Sequence, residues 1–184
     1  MTGADDRWRV VVGIDPSEAS SGWCVLVASS TDRRWRCWAS GQCKGAEAPH
    51  EVLAALPPGI VNVVVLAVEG IFPGKAKNPD GTERPEPKPH IWRLGFRSGL
   101  IAGALMVHES FANATLWTPQ PNEWRRVLGV KQGRRAVIAK QMLRWSAATS
   151  GFPMEGPRGG AQVDRAMAVG IASAAVSAHH NRCT

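Results

Sequence analysis

The chain has 184 residues, which fits one domain of ordinary size, and 44% of them are hydrophobic, enough for a buried core. No apolar stretch approaches the roughly 20 uncharged residues of a membrane-spanning helix, so we expect no membrane partner. The first residues carry acids and arginines and no apolar run, which argues against a secretory signal and favours the cytoplasm. The formal charge of +7 favours a polyanionic partner without identifying it.

The cysteines form no CxxC pair and have no zinc-like spacing with histidines; they are Cys24, Cys37, Cys43 and Cys183. We therefore expect reduced thiols, as is usual for proteins of the cytoplasm, rather than disulfides or a zinc site.

The first half of the chain predicts three strands, a helix and a fourth strand. Arg7 to Ile14 is β-branched and apolar, which predicts a buried strand. Gly22 to Ala28 and Arg33 to Ser40 would complete an antiparallel meander with it. Glu47 to Leu56 predicts a short helix. Asn62 to Val68 is a continuous apolar run, typical of a strand that is covered on both faces.

The second half begins with a long loop, Phe72 to His90, which is rich in Pro, Gly and charge and lacks periodicity. The helix predicted at Ile91 to Val107 contains small residues that favour internal packing, with an interface as the alternative. A short strand and three helices follow, with Asn122 as a predicted N-cap: Ala114 to Thr118, Asn122 to Leu128, Arg134 to Ala148 and Ala161 to Ala178. This order predicts a single α/β domain over residues 1–184, with a mixed five-stranded sheet and helices on both faces.

Three carboxylates stand where they could carry chemistry. Asp15 follows the first apolar strand, Glu69 follows the later one, and Asp164 opens the final helix. Strands that end in acids at one sheet edge would bring those acids together, where ligands bind in open α/β sheets. Clustered carboxylates repel each other unless a cation lies between them, and Mg²⁺ is the natural partner of such oxygen ligands.

Each acid also has a purely structural interpretation. Asp15 precedes Pro16 and is suited to begin a turn. Glu69 could face solvent at the end of its strand, and Asp164 could favour a helix N-terminus through the helix dipole. The occurrence of all three at these positions weakens the structural account.

The segment Val10 to Leu26 (VVVGIDPSEASSGWCVL) resembles the opening of the RuvC Holliday junction resolvases. The spacing from Asp15 to Gly22 is that of the family. Ser17 stands where the family usually has glycine, and Ser21 where it usually has threonine.

Three further segments are similar to the family and follow in its order, so that the resemblance extends over nearly the whole chain. They are LAVEGIF (Leu66 to Phe72), LGFRSGLIAGAL (Leu94 to Leu105) and VDRAMAVGIA (Val163 to Ala172). The ordered set is more specific than the first segment alone, because actin-like ATPases open in a similar way.

The resemblance implies a ribonuclease H-like fold and a homodimer that cuts branched DNA, such as a four-way junction, in a bacterial or phage-infected cell. It implies that Asp15, Glu69 and Asp164 are catalytic and bind Mg²⁺ or Mn²⁺. It also implies that Phe72 stacks on a base near the crossover, as aromatic residues do on splayed strands. The alternative for Phe72 is an anchor for its own loop.

One position departs from the family pattern. A second ligand, Asp or His, usually lies three residues before the final Asp, and this chain has Ala161 there. Gln162 or Glu155 would be substitutes, or the fourth ligand is absent. The departure puts two-metal occupancy in doubt more than it does the fold.

A basic stretch with one acid, Glu123, follows the short strand, and its cations are candidate DNA contacts: Arg125, Arg126, Lys131, Arg134, Arg135 and Lys140. The helix start near Arg134 would add backbone N–H groups that favour phosphate. The resemblance places Arg135 near a basic residue that the family uses on DNA. The alternative is an ordinary solvated face.

Three hypotheses for function follow. The first is a structure-selective endonuclease that hydrolyses phosphodiesters with a metal-activated water. The second, motivated by Ala161, is a protein of the same fold that binds branched DNA but has weakened or lost cleavage. The third is an actin-like phosphotransferase, for which this chain is short because such enzymes usually need two related halves.

Overall fold

The computed structural model describes residues 8–17, 20–29, 34–59, 61–70, 80, 89–131, 133–151 and 160–180. Within these ranges the order of elements is the predicted one, three strands, a helix, a strand, a helix, a strand and three helices. The predicted loop at 72–90 lies almost wholly outside the described residues. Its last two residues, from Pro89, already belong to the following helix. Proline is favoured there because the first helical turn leaves its N–H groups unpaired in any case.

The sheet has five strands in the order β3-β2-β1-β4-β5. Their bounds are Trp8–Asp15 (β1), Ser21–Ser29 (β2), Arg36–Cys43 (β3), Val61–Val68 (β4) and Thr115–Trp117 (β5). The first three strands form the predicted antiparallel meander, and β4 lies parallel to both β1 and β5. The most apolar strands, β1 and β4, are therefore neighbours near the centre of the sheet, where both faces are covered.

Five α-helices cover the two faces of this sheet: Ala48–Ala54 (α1), Pro89–Met106 (α2), Pro121–Val127 (α3), Arg135–Ser150 (α4) and Gly160–His180 (α5). One face packs against α1 and α2. The other face packs against α5, which α3 and α4 cover in turn. The predicted five-stranded α/β sheet with helices on both faces is confirmed.

The start of α3 differs from the prediction. The helix begins at Pro121 with Gln120 at the N-cap, so the prediction of Asn122 as the cap is wrong. Pro121 takes the first helical position, and the Gln120 N–H donates to the Glu123 carboxylate at 3.3 Å.

The small residues of α2 divide between two environments. Ser98 and Ala102 are buried, as expected for internal packing. Gly99 and Gly103 instead face open space, with no atom within 4 Å of the place where a Cβ would stand. The expectation that the small residues serve internal packing therefore holds for only one side of this helix.

No helix in the described part of the chain is long and apolar enough to cross a bilayer. Cys24, Cys37 and Cys43 are free thiols, as predicted, and Cys183 lies outside the described residues.

The contact between β1 and α5 depends on Gly13. A Cβ at this position would overlap the Ala168 carbonyl group and Ala172 on α5, both of which are backbone or core atoms that cannot move aside cheaply. We predict that Gly13→Ala lowers the free energy of unfolding by about 1–3 kcal/mol, the usual cost of overpacking a core. Urea denaturation followed by circular dichroism measures it.

Gly133→Ala is the matched control, because a Cβ there would meet Val137 only at an ordinary contact distance of 3.8 Å. Equal unfolding midpoints for the two variants would contradict the close packing of α5 on β1.

Candidate metal centre

Asp15 and Glu69 end neighbouring parallel strands at the same level of the sheet. Ile14 lies opposite Val68, and the Glu69 N–H donates to the Ile14 carbonyl at 3.0 Å, so the two acids are the next pair along. Adjacent strands are about 4.8 Å apart. The predicted meeting of these two acids at one sheet edge therefore holds for their backbones.

A β-bulge in β4 places Glu69 on the same face as Asp15. Val10 lies opposite Val63 but Val11 lies opposite Val65, so Val64 is an extra residue. Because side chains alternate between faces, one extra residue reverses the face of every residue that follows it. Beyond the bulge, Glu69 shares the α5 face with Asp15, as its contact with a residue of that core shows.

Asp164 reaches the same row through a second glycine. Gly22 on β2 lies opposite Asp15, and a Cβ on Gly22 would overlap the Asp164 carbonyl group. The backbone of α5 at Asp164 therefore rests directly on the strand beside Asp15. Asp164 is the fifth residue of α5, which begins at Gly160, one residue before the predicted start at Ala161.

Two polar residues that the sequence did not point to hold the Asp164 carboxylate. The Gln42 side chain donates from Nε2 to Asp164 Oδ2 at 2.7 Å, and the Ser20 hydroxyl donates to the same oxygen at 3.2 Å. Gln42 lies opposite Gly22 in the β2–β3 register and so extends the row to the third strand. The Gln42 amide also donates to Ser20 Oγ at 2.7 Å, which joins all three side chains.

Glu69 is 7% exposed and is held by a fully buried tryptophan. The Trp124 indole N–H donates to Glu69 Oε2 at 2.8 Å, and the Arg125 guanidinium lies 5.1 Å from the centre of the same indole. Burial raises the pKa of the Glu69 carboxyl group, while the bond from Trp124 and the charge of Arg125 oppose that rise. Burial of the Glu69 carboxylate therefore costs free energy, and the nearby donor and positive charge offset part of that cost.

Helix α2 supports the ends of both central strands from the other face. Arg97 donates from Nη1 to the Ser17 carbonyl at 2.7 Å, just after β1. Ser98 donates from Oγ to the Glu69 carbonyl at 3.1 Å, just after β4. The sequence did not predict the contacts of these two residues or of Trp124, because each contact joins segments that are far apart in the chain.

The donor set fits a hard divalent cation in its chemistry, since three carboxylates on one face offer the oxygen ligands that Mg²⁺ and Mn²⁺ accept. Within the described ranges, no three His, Cys, Asp or Glu side chains are arranged closely enough to hold a metal ion. Trp124 and Gln42 each engage one oxygen of a carboxylate, Oε2 of Glu69 and Oδ2 of Asp164. Holding an ion between the acids would therefore require their carboxylates to draw together.

The structure describes one of the two candidate substitutes for the fourth metal ligand, Gln162. Ala161 lies in the first turn of α5, and an alanine has no ligand atom. Gln162, next to it, is partly buried and already makes a polar or electrostatic contact. Glu155 lies outside the described residues.

The predicted DNA-contacting cations lie on α3, on α4 and between them. Arg125 and Arg126 line a surface cavity of about 570 Å³ next to Trp124, and Arg126 is exposed. Lys131, Arg134 and Lys140 are exposed as well. Two of the predicted cations stand at the start of α4, Arg134 at the N-cap and Arg135 as the first helical residue. Phe72 lies outside the described residues.

The burial of Glu69 has a measurable consequence for stability. A carboxyl group whose pKa rises on folding binds its proton more tightly in the folded chain, so stability falls as pH rises from its usual range through the folded pKa. Glu69→Gln removes this loss. In EDTA, we predict that the melting temperature of wild type relative to Glu69→Gln decreases between about pH 4 and about pH 8.

The control is Glu109→Gln, which removes an exposed carboxylate from another part of the surface. A wild-type melting temperature that keeps a constant difference from that of Glu69→Gln across this pH range would contradict the raised pKa.

Comparison with known proteins gives matches among solved structures alone, since neither a protein-family model nor a curated protein matches the sequence. RuvC of Thermus thermophilus matches with a TM-score of 0.55 and 18% identity, over 95% of this chain and 96% of RuvC. The same protein in complex with a Holliday junction substrate matches with a TM-score of 0.54, at the same identity and coverage. The Fowlpox virus resolvase in complex with Holliday junction DNA matches with a TM-score of 0.50 and 9% identity, over 92% of this chain and 98% of the resolvase. The chain therefore has the ribonuclease H-like fold of RuvC, as its motifs predicted.

Proposed function

We propose that this chain is a divalent-metal-dependent endonuclease that cleaves four-way junctions or other branched DNA. The observation that carries the proposal is the row of acids on the α5 face, Asp15 and Glu69 side by side with Asp164 resting on Gly22. The structural neighbours support it, because RuvC and the Fowlpox resolvase are described with Holliday junction DNA as their substrate.

In this proposal Asp15, Glu69 and Asp164 hold Mg²⁺ or Mn²⁺, which when bound activates water and stabilises the leaving oxygen of the phosphodiester. The other residues of the site orient these carboxylates. Trp124 holds Glu69 from the α3 side, and Gln42 holds Asp164 from the β3 side. Glu69 and Asp164 are thereby restrained before substrate arrives, which lowers the entropic cost of bringing them to a metal ion.

The basic residues of α3, α4 and the segment between them would hold DNA phosphates beside the site. Arg125 and Arg126 are best placed, because they directly follow Trp124, the partner of Glu69, on α3 and the charge of Arg125 acts on Glu69. Lys131, Arg134, Arg135 and Lys140 would extend the contact along the backbone of one arm. Contacts of this kind are sensitive to salt and carry no sequence information. Phe72 would stack on an unpaired base at the crossover.

Cleavage of a synthetic four-way junction tests the proposal. With Mg²⁺ or Mn²⁺ we expect wild type to cut the junction, and Asp15→Asn and Glu69→Gln to lose at least about a hundredfold in rate, because each removes a charged ligand. Glu109→Gln is the matched control and should cut like wild type. Rates are measured on labelled strands under single-turnover conditions.

The outcomes separate the hypotheses. Equal rates for wild type and Asp15→Asn would remove the acids from the mechanism. Salt-sensitive junction binding by wild type with either metal, but without cutting, would favour the alternative that Ala161 raises, a binding protein of the same fold. Neither binding nor cutting of any branched DNA would overturn the proposed function.

A homodimer belongs to the same proposal, and α2 offers a surface for it. The exposed apolar residues Trp92, Phe96 and Leu100 lie along one side of this helix together with Gly99 and Gly103, and the exposed Val107 follows its last residue; we call this surface the α2 stripe. Phe96 is 70% exposed. An exposed apolar surface of this kind usually marks an interface, and the two glycines leave room for a second helix to approach closely.

Substitution of Phe96 by Glu tests this interface. We predict that wild type sediments at twice the 19.8 kDa of one chain at micromolar concentration, and that Phe96→Glu sediments as a single chain, because a charge at an apolar contact loses its hydration. The control is Val137→Glu, a change at another exposed apolar residue, on α4. A wild type that stays monomeric at all concentrations, or a Phe96→Glu variant that stays dimeric, would rule out the α2 stripe.

A further inference from the structure

Two thiols outside the row of acids lie close together in the sheet. The sulfur atoms of Cys24 on β2 and Cys37 on β3 are 3.8 Å apart. A disulfide has an S–S distance of about 2.05 Å, so the two sulfurs are already in contact and must approach by less than about 2 Å to bond. Both residues are free thiols, so the pair is in its reduced form.

A second β-bulge produces this proximity. Val25 lies opposite Ala39 but Leu26 lies opposite Cys37, so Trp38 is an extra residue in β3. Without it, regular pairing would set Cys37 opposite Val27, whose side chain packs in the core on the α1 and α2 side. With it, Cys37 packs beside Cys24 in the core under α5.

The two thiols have different access to solvent. Cys24 is fully buried. Cys37 is only partly buried and is one of the residues that line two surface cavities, of about 920 Å³ and about 220 Å³. An outer thiol with an inner thiol directly behind it is the arrangement that captures an oxidant and then forms a disulfide.

The electrostatic surroundings agree with these roles. The hydrogen bond with Cys24 lowers the pKa of Cys37 against the effect of burial, and the positive charge of Arg165 lowers it further. Burial raises the pKa of Cys24. At Cys43, burial and nearby glutamates raise the pKa to about 11, which leaves that thiol unreactive by comparison.

We propose that Cys24 and Cys37 form an oxidisable thiol pair, in which the Cys37 thiolate attacks a peroxide and a disulfide then closes between β2 and β3. The Cys37 thiolate attacks one oxygen of hydrogen peroxide and becomes a sulfenic acid. The other oxygen leaves as hydroxide and is protonated to water. The Cys24 sulfur then displaces the hydroxyl group from Cys37, and the proton of Cys24 leaves with it as a second water. One peroxide and two thiols thus give one disulfide and two waters.

The disulfide would lie in the strands that carry the residues around Asp164. Gly22, on which Asp164 rests, is two residues from Cys24, and Gln42 follows Cys37 on β3. The bridge would join the edge strand β3 covalently to β2 and so resist separation of this side of the sheet. The inference concerns the sheet itself and stands whether or not the chain is a nuclease.

Peroxide treatment of the full chain tests the pair. After exposure to hydrogen peroxide, the remaining thiols are blocked with an alkylating agent and the protein is digested without reductant. We expect mass spectrometry to find a Cys24–Cys37 cross-linked peptide that disappears with dithiothreitol, and wild type to melt at a higher temperature when oxidised. We also expect Cys37 to be alkylated at least about tenfold faster than Cys43 in the reduced chain.

Three variants distinguish the roles. Cys43→Ala, the matched control, should form the same cross-link at the wild-type rate. Cys24→Ala should leave a sulfenic acid at Cys37 that dimedone traps, and Cys37→Ala should leave Cys24 unoxidised. Peroxide-treated wild type without the Cys24–Cys37 peptide, or oxidation of Cys24 in Cys37→Ala at the wild-type rate, would overturn the proposal, and the wild-type peptide map decides it even if a variant fails to fold.

Discussion

Helix α5 rests on β1 and β2 through contacts of its own backbone, at Gly13 and Gly22, with no sheet side chain in between. This close approach determines the rest of the candidate site. It sets Asp164 beside Asp15 without a loop, so the third acid is carried on a rigid helix. It also sets the depth of the core, in which α3 and α4 pack against the outer side of α5 and bring Trp124 to Glu69.

The site collects negative charge in a place where burial opposes it. Glu69 is almost fully enclosed, and Asp164 is 8% exposed. This cost is reduced at Glu69 by the hydrogen bond from Trp124 and the positive charge of Arg125. At Asp164 it is reduced by hydrogen bonds from Gln42 and Ser20. Buried charged groups that are held in this way lower the stability of the folded chain, a cost that proteins commonly carry at ligand-binding sites.

The strands and the pairing of Asp15 with Glu69 could be predicted because runs of valine, and acids directly after them, are local features of the sequence. The partners of these acids could not. Gln42, Ser20 and Trp124 are ordinary residues whose roles arise only from contacts between distant segments. The N-cap of α3 was misplaced by two residues because Pro121 takes the first helical position, whereas the start of α5 was predicted to within one residue.

The extra residue in β4, Val64, determines which of the following side chains face α5 and which face α2. Apart from Asn62, VNVVVLAV is apolar, so either face of the sheet would accept most of its side chains, and hydrophobicity alone leaves the phase of the strand undetermined. The bulge sets that phase. Regular pairing of all eight residues would preserve the composition of the core, yet it would move Glu69 one position past Asp15 and turn its carboxylate toward α2. In this strand, the position of the bulge carries information about the candidate site that the chemical identity of the residues does not.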